Sequence, residues 1–454
     1  MVASLGLRTT IVVFLFIHLV NFEKKRLILV ANRIALTLVF VLSFLTYLAP
    51  ELTATVQLAP LLLFATLVVV RVLFSLSNLR AVGSLLELDG LVFVVFLSLL
   101  MMGPSMASAY DKSTAYALLI SACLILARLY MAVVPIREVL EAFFWSGIVS
   151  VALFVPLSFA TLMQSVQTLD RFGYVNLQTN ILAFLLTGYL CVAVWKFFTG
   201  GWRMKALTGA IGLCCAVMIF FTSSRGALIG GFIGCCFGAG MAFSRADKGR
   251  RFWLARRTAW VASVFVIALL FFQSLPSVKA AYDYLDQALA ITSPDRGVDS
   301  GFTGRFDNWK RTMGPLSGGN WLLGRGMRSS DSIYPMIDNS YLVILYDLGL
   351  FPLILITWRF LSILRRFVNA YFRALDESQR KLYLVCCVLM VMLLTINIVE
   401  RFLFGVGNPY SLLALLFFAT PTSVIGQELE KSKIESRGSE HLAGRTFSNL
   451  QPSC

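Results

Sequence analysis

Residues 204–243 read MKALTGAIGLCCAVMIFFTSSRGALIGGFIGCCFGAGMAF, two apolar runs at 204–222 and 226–243 with only Ser223, Ser224 and Arg225 between them. Each run is close to the ~20 residues that span a bilayer core. Neither alternates polar and apolar positions as a barrel strand does. Lipid offers the backbone no hydrogen-bond partner, so the stretch is a pair of membrane-crossing helices joined by an almost absent turn. The connection that follows, Arg245 to Arg257 (RADKGRRFWLARR), carries six basic residues against one Asp. Basic connections face the cytoplasm, which places Arg225 at the outer boundary.

The same pattern continues in both directions. Further apolar runs fall at 9–22, 27–49, 56–74, 90–109, 113–134, 139–163, 179–198, 258–276, 339–364, 381–404 and 409–425. They predict an all-α, polytopic transmembrane helix bundle of about 12–13 spans, the first run being marginal in length. Ten spans occupy 1–276, a large and partly helical extracytoplasmic loop occupies 277–338, three spans occupy 339–425, and 426–454 forms a cytoplasmic tail. Short as it is, the first run lacks the small-residue cleavage site of a signal peptide and is followed by Asn-Phe-Glu-Lys-Lys-Arg.

Composition agrees. The 454 residues are 58% hydrophobic and 14% charged, which excludes an ordinary soluble domain, where about 25% are charged. The net charge of +15 follows the topology. Alternating from the Arg245–Arg257 connection puts most Lys and Arg on one side, including Lys24, Lys25, Arg33, Arg128, Arg137, Lys196, Lys205 and the cluster Arg359 to Lys381. The excess is therefore a positive-inside signal and no nucleic-acid partner is expected. Eight of nine cysteines lie inside apolar runs, which reads as packing rather than as a metal or disulfide framework. No metal or cofactor is expected.

Chemistry gathers on the other side. Arginine at membrane depth is costly and usually functional, and a guanidinium fork matches phosphate oxygens. Arg225 is the foremost such group. The outer connection 164–180 (QSVQTLDRFGYVNLQTN) adds Arg171 and Asn180. The 277–338 loop, much longer than most connections, is rich in Tyr, Phe, Trp, Arg and Asp and contains Arg305, Trp309 and Arg325. Asp338 and Asn339 open the next helix, where side chains cap and backbone N–H groups favour anions. Tyr341 follows, and Asp347 lies deeper on the same helix, either hydrogen-bonded within the bundle or catalytic.

Taken in order, these motifs resemble the O-antigen ligase and polymerase superfamily, which includes the Wzy-type polysaccharide polymerases. The resemblance rests on Ser224-Arg225-Gly226 before a Gly-rich span, Arg171-Phe-Gly with Asn180, Gly304-Arg305 with Trp309 and then Gly324-x-Gly326, and Asn339-Ser-Tyr-Leu with Leu348-Gly349. It covers about 164–351. The ligase branch carries a histidine just before the Asn position; here Asp338 stands there, and the only histidines are His18 and His441. That favours the polymerase branch.

The resemblance implies a metal-independent glycosyltransferase at the outer face of a bacterial inner membrane. It would join undecaprenyl-pyrophosphate-linked oligosaccharides into an exopolysaccharide, capsule or O-antigen chain, with a flippase and a chain-length regulator as partners. Arg225 and Arg305 are then assigned to the pyrophosphates and Asp338 to the acceptor hydroxyl as general base. Arg171, Asn180, Trp309, Arg325, Asn339 and Tyr341 are assigned to substrate binding. Ligation to lipid A core stays open as an alternative, as does a transporter of lipid-linked oligosaccharide.

Overall fold

The computed structural model describes residues 27–46, 54–75, 88–168, 179–222, 224–247, 305–314, 320–333, 337–403, 408–421 and 423–426, with the isolated residues 249 and 256. Among them every regular element is helical. The chain is an all-α polytopic bundle. Its helices are α1 (Leu27–Thr46), α2 (Ala54–Ser75), α3 (Leu88–Met106), α4 (Ser113–Val133), α5 (Ile136–Thr168), α6 (Thr179–Thr199), α7 (Trp202–Thr222) and α8 (Arg225–Arg245). After these come α9 (Arg305–Met313), α10 (Asn320–Leu323), α11 (Ser340–Leu348), α12 (Leu350–Arg373), α13 (Glu377–Ile396) and α14 (Pro409–Ala419).

Among the described residues seven helices, α1 and α4 to α8 with α13, are long and apolar enough to cross a membrane. In α2, α3 and α14 the apolar stretch is shorter. The runs 9–22 and 258–276, Arg171, the first part of the long loop and the tail beyond 426 lie outside the described residues. Of the loop, the parts described form α9, α10 and a 3-10 turn at Ser329–Ser332.

Two runs expected to be single spans are divided. Run 339–364 breaks at Gly349, whose φ of +90° is left-handed, a conformation natural only to glycine. The loop backbone lies directly on this break: Gly324 N stands 2.8 Å from where a Gly349 Cβ would be. Run 409–425 forms the 11-residue α14, about 16 Å long at the helical rise, too short to cross. Its last carbonyls need partners inside the bundle. Arg128 of α4 donates to Ala419 O at 3.3 Å, and Arg359 of α12 donates to Phe418 O at 3.1 Å and Thr420 O at 2.8 Å. Both arginines are buried, at 1% and 6% exposure. They are helix caps, which also suit the negative end of a helix dipole, and not members of a solvated basic loop.

The contact that positions the functional end is between α8 and α13. Gly226, Gly230, Gly234 and Gly238 recur every fourth residue, which aligns them on one face of α8. A Cβ on Gly226 would stand 2.8 Å from Val399 Cγ2, and one on Gly238 would stand 2.8 Å from Val388 Cγ2. On Gly230 a Cβ would run into Ile396, and on Gly234 into Met392, with Val388 O 3.3 Å away. Small residues at this spacing let two backbones approach where lipid supplies no hydrophobic drive. Aromatic stacking joins α14 to the same group: Phe184 lies 4.5 Å from Phe402 and 4.6 Å from Tyr410 between ring centroids.

At the opposite end of the bundle, Arg33 of α1 forks onto Glu138 of α5 at 3.0 Å, while Glu141 pairs with Lys196 of α6.

Gly230→Ala should lower stability by about 1–3 kcal/mol through overpacking against Ile396. Gly240→Ala, with nothing within 4 Å of the new methyl, should keep it or raise it by up to about 1 kcal/mol, the preference of a helix interior for Ala over Gly. Thermal unfolding of the two detergent-solubilised variants checks this; equal midpoints would remove the stripe as the basis of the α8–α13 contact.

Candidate functional site

Arg225 begins α8, and the glycine next to it packs on Val399 and approaches Glu400. Helix α13 ends at Ile396, so its exit Val399-Glu400-Arg401 lies at the same end of the bundle. Arg305, the first residue of α9, reaches that exit as well. Its guanidinium donates to Val399 O and, at 3.1 Å, to Glu400 Oε1, while its Nε lies 3.8 Å from Asp338 Oδ2. The α8 start, α9 start, α13 exit and α11 approach therefore converge. Arg225, Arg305 and Asp338, far apart in sequence, come to one locality through a segment that sequence reasoning had not singled out.

Arg401 extends the group. It pairs with Asp331, whose other oxygen accepts from Arg328 Nε at 2.7 Å. The Arg328 guanidinium in turn sits 4.5 Å from the centre of the Tyr116 ring, a cation–π contact. Asp338 is half-exposed, at 48% for its side chain. Partial burial pushes its carboxyl above the ordinary Asp range, opposed by the positive charges of Arg305 and Arg401. The result is a carboxylate beside the Arg305 guanidinium and in the field of Arg401, more basic than a free Asp.

Beneath this layer the loop is fixed to α11 by Asp347, which is 2% exposed. Its Oδ2 accepts from Arg328 N at 2.9 Å and Ser330 Oγ at 3.1 Å; its Oδ1 accepts from Ser330 N at 2.8 Å and Ser329 Oγ at 3.1 Å. The main chain joins too, with Gly326 N donating to Asp347 O at 2.7 Å. Arg328 is held here in a left-handed conformation, φ +62°, which is costly for a residue with a Cβ. Four side-chain hydrogen bonds to one carboxylate identify Asp347 as the loop's anchor. A small cavity of about 130 Å³ separates it from Arg401, Ser340 and Met327.

The remaining candidates divide by what their polar atoms do. Asn339 caps α11, its Oδ1 accepting from Tyr341 N at 2.9 Å and Leu342 N at 3.1 Å; Asp338 stands one residue outside that cap. Ser340 Oγ lies 2.6 Å from Asn397 Oδ1 and 3.0 Å from Glu400 O, tying α11 to the α13 exit. The Tyr341 hydroxyl donates to Leu394 O at 2.9 Å. Of the residues assigned to substrate binding, Asn339 through its Oδ1 and Tyr341 through its hydroxyl are thus engaged within the protein. Trp309 is half-buried, one turn beyond Arg305 on α9, and Asn180 is half-buried in the first turn of α6, at the same end of the bundle. Arg325 packs over Tyr346, 5.3 Å from the ring centre, and lines a crevice of about 890 Å³ between the loop, α3 and α12.

Sequence reading singled out neither Glu400, the partner of Arg305, nor Arg401. The available signal was Glu-Arg directly after an apolar run, a charge pair where a span ends.

An apolar groove of about 580 Å³ runs between α6, α8 and α13, starting at Ala227 and Leu228, within one turn of Arg225, and continuing past Gly231 and Cys235 to Lys381.

Residues 210–357 match the family model described as O-Antigen ligase. The matched stretch contains Arg225, Arg305, Asp338 and the Asp347 anchor, and supports the O-antigen ligase/polymerase superfamily. Family members are glycosyltransferase-like enzymes. No curated protein matches the chain.

Asp347→Ala should strip four hydrogen bonds from the loop at about 1–3 kcal/mol for each group left unpaired. Limited proteolysis should then cut within 320–333 well before wild type is cut. Cleavage at the wild-type rate would show that the loop is held by something else.

Proposed function

We propose that this chain, tied to the O-antigen ligase/polymerase superfamily through residues 210–357, is a polysaccharide polymerase of a bacterial inner membrane that joins lipid-pyrophosphate-linked oligosaccharides. The observation that carries the reading is the meeting of Arg225, Arg305 and Asp338 at one end of the bundle, directly above an apolar groove. A lipid-linked donor has this same division, a dianionic head and a long apolar tail. The positive-inside pattern assigns that end to the periplasm.

In this mechanism the polyprenyl tail lies in the α6–α8–α13 groove and the pyrophosphate sits at the start of α8. A hydroxyl oxygen of the acceptor sugar attacks the donor's anomeric carbon. The new C–O bond forms as the bond to pyrophosphate breaks, and the hydroxyl proton passes to Asp338. Charge building on the departing pyrophosphate is stabilised by Arg225 and by the guanidiniums of Arg305 and Arg401, already fixed by Glu400 and Asp331 before substrate arrives. Such preorganised donors need no rearrangement in the transition state. The raised Asp338 affinity for protons brings it nearer the range useful for a general base. Arg171, outside the described residues, is assigned with Asn180, Trp309 and Arg325 to the saccharide or its phosphates.

A second reading within the same family is ligation of a finished polymer to lipid A core, supported by the description of the matched family. Asp338 in place of the histidine of the ligase branch supports polymerisation.

The test uses purified protein with an undecaprenyl-pyrophosphate-linked repeat unit and no ion gradient, read as a ladder of products. Wild type should give a ladder, and Arg225→Ala or Arg305→Ala should reduce its rate by about 10²–10³-fold, the usual loss for one preorganised donor. Undiminished ladders from both variants would refute the pyrophosphate assignment, and product only with a lipid A core acceptor would favour the ligase.

Asp338 acts ionised, so activity should fall as pH drops through a value above the ordinary Asp range. In Asp338→Asn that acid limb should vanish with most of the activity; an unchanged profile would leave Asp338 no role as base.

A further inference from the structure

The far end of α12 carries a second concave charged feature, about 36 Å from Gly349 at the helical rise. Ser362, Arg365, Arg366, Asn369, Ala370 and Arg373 line a pocket of about 370 Å³, closed on its other side by Ile425 and Gly426. The other face of the helix, with Ile356, Phe360, Ile363 and Phe367, is buried in the core. Spacings of three and four residues give the polar positions a stripe of their own.

The arginines in this pocket differ from other cations at the same end. Arg33 and Lys196 are paired with Glu138 and Glu141. Arg245 donates to the carbonyls of Phe372 and Ala374, and Lys381 pairs with Glu377. Among the described residues, Arg365, Arg366 and Arg373 have no ion pair, and no Asp or Glu lines their pocket. Three guanidiniums around one concavity repel one another unless an anion joins them. They extend over about 12 Å of helix, more than one phosphate group covers.

The setting selects the kind of anion. Leu361, Phe372 and Leu375 beside the pocket are exposed at 52%, 41% and 58%. Apolar groups flanking a basic concavity at the end of a membrane helix mark the headgroup layer rather than open water.

We propose that this pocket binds phosphodiester headgroups of anionic phospholipid, best a lipid with two phosphates, on the side of the membrane opposite the Arg225–Arg305 site. The headgroup bridges Arg365, Arg366 and Arg373, with Asn369 and Ser362 donating to its remaining oxygens. Its acyl chains pass over Leu361 and Phe372. Binding there holds the end of α12 to the segment that follows α14, independently of what the opposite site transforms.

The experiment is native mass spectrometry of the full chain released from nanodiscs containing cardiolipin and phosphatidylethanolamine. Wild type should retain cardiolipin, and R365Q/R366Q/R373Q should retain on the order of 10²-fold less, given the contribution of each basic residue near an anionic surface. R203Q/K205Q, altered at another basic site at that end, should retain as much as wild type. Soluble inorganic pyrophosphate at millimolar concentration should not displace the lipid. Equal retention by wild type and the triple variant, or an equal loss in R203Q/K205Q, would overturn the proposal. Displacement by pyrophosphate would overturn the lipid source and leave a site for free phosphates. Should the triple variant not fold, R366Q alone should show a partial loss, and none would count against the site.

Discussion

Backbone-to-backbone contact between α8 and α13 is the constraint on which the functional end depends. Four glycines at intervals of four let Val388, Met392, Ile396 and Val399 seat directly on the α8 main chain. Because the stripe begins at Gly226, the last contact of the interface fixes the neighbour of Arg225 against the exit of α13. That exit supplies Glu400 and Val399 to Arg305 and Arg401 to Asp331. Close packing in the membrane thus sets the spacing of charges outside it.

Above that interface, order comes from electrostatics with little freedom left over. Asp331 and Glu400 hold arginines, Asp347 holds backbone, and Asn339 and Ser340 hold the start of α11. Asp338 is the exception, half-exposed and 3.8 Å from its nearest cation. Of these four described carboxylates, Asp331, Glu400 and Asp347 are committed to structure, which leaves Asp338 among them as the group able to exchange a proton.

The helical bundle was legible because each span writes its own length and hydropathy, with no need of partners. Arg225, Arg305 and Asp338 were legible because each interrupts a pattern, at a span edge or a helix start. Their neighbours were not. Glu400 follows a span more than 90 residues after Arg305, and no local feature tells which distant loop it meets. Asn339 and Tyr341 carry side chains fit for sugar binding, yet a capping geometry and the carbonyl of Leu394, two residues before the end of α13, use them. Arg128 and Arg359 were counted with the solvated basic residues because sequence records charge and not depth.

Those two arginines bear on how the chain is assembled. Helix α14 is hydrophobic enough to enter a bilayer, but its carbonyls at Phe418, Ala419 and Thr420 end where hydrocarbon would leave them bare. Arg128 and Arg359 have the complementary difficulty, since neither α4 nor α12 can hold a guanidinium in lipid without an acceptor. Each half supplies what the other lacks, the carbonyls of α14 accepting from the guanidiniums of α4 and α12. Insertion of α14 is therefore coupled to α12 and to α4, whose Arg128 lies nearly 300 residues earlier in the chain, and a chain truncated before α14 takes these carbonyl acceptors away from both guanidiniums.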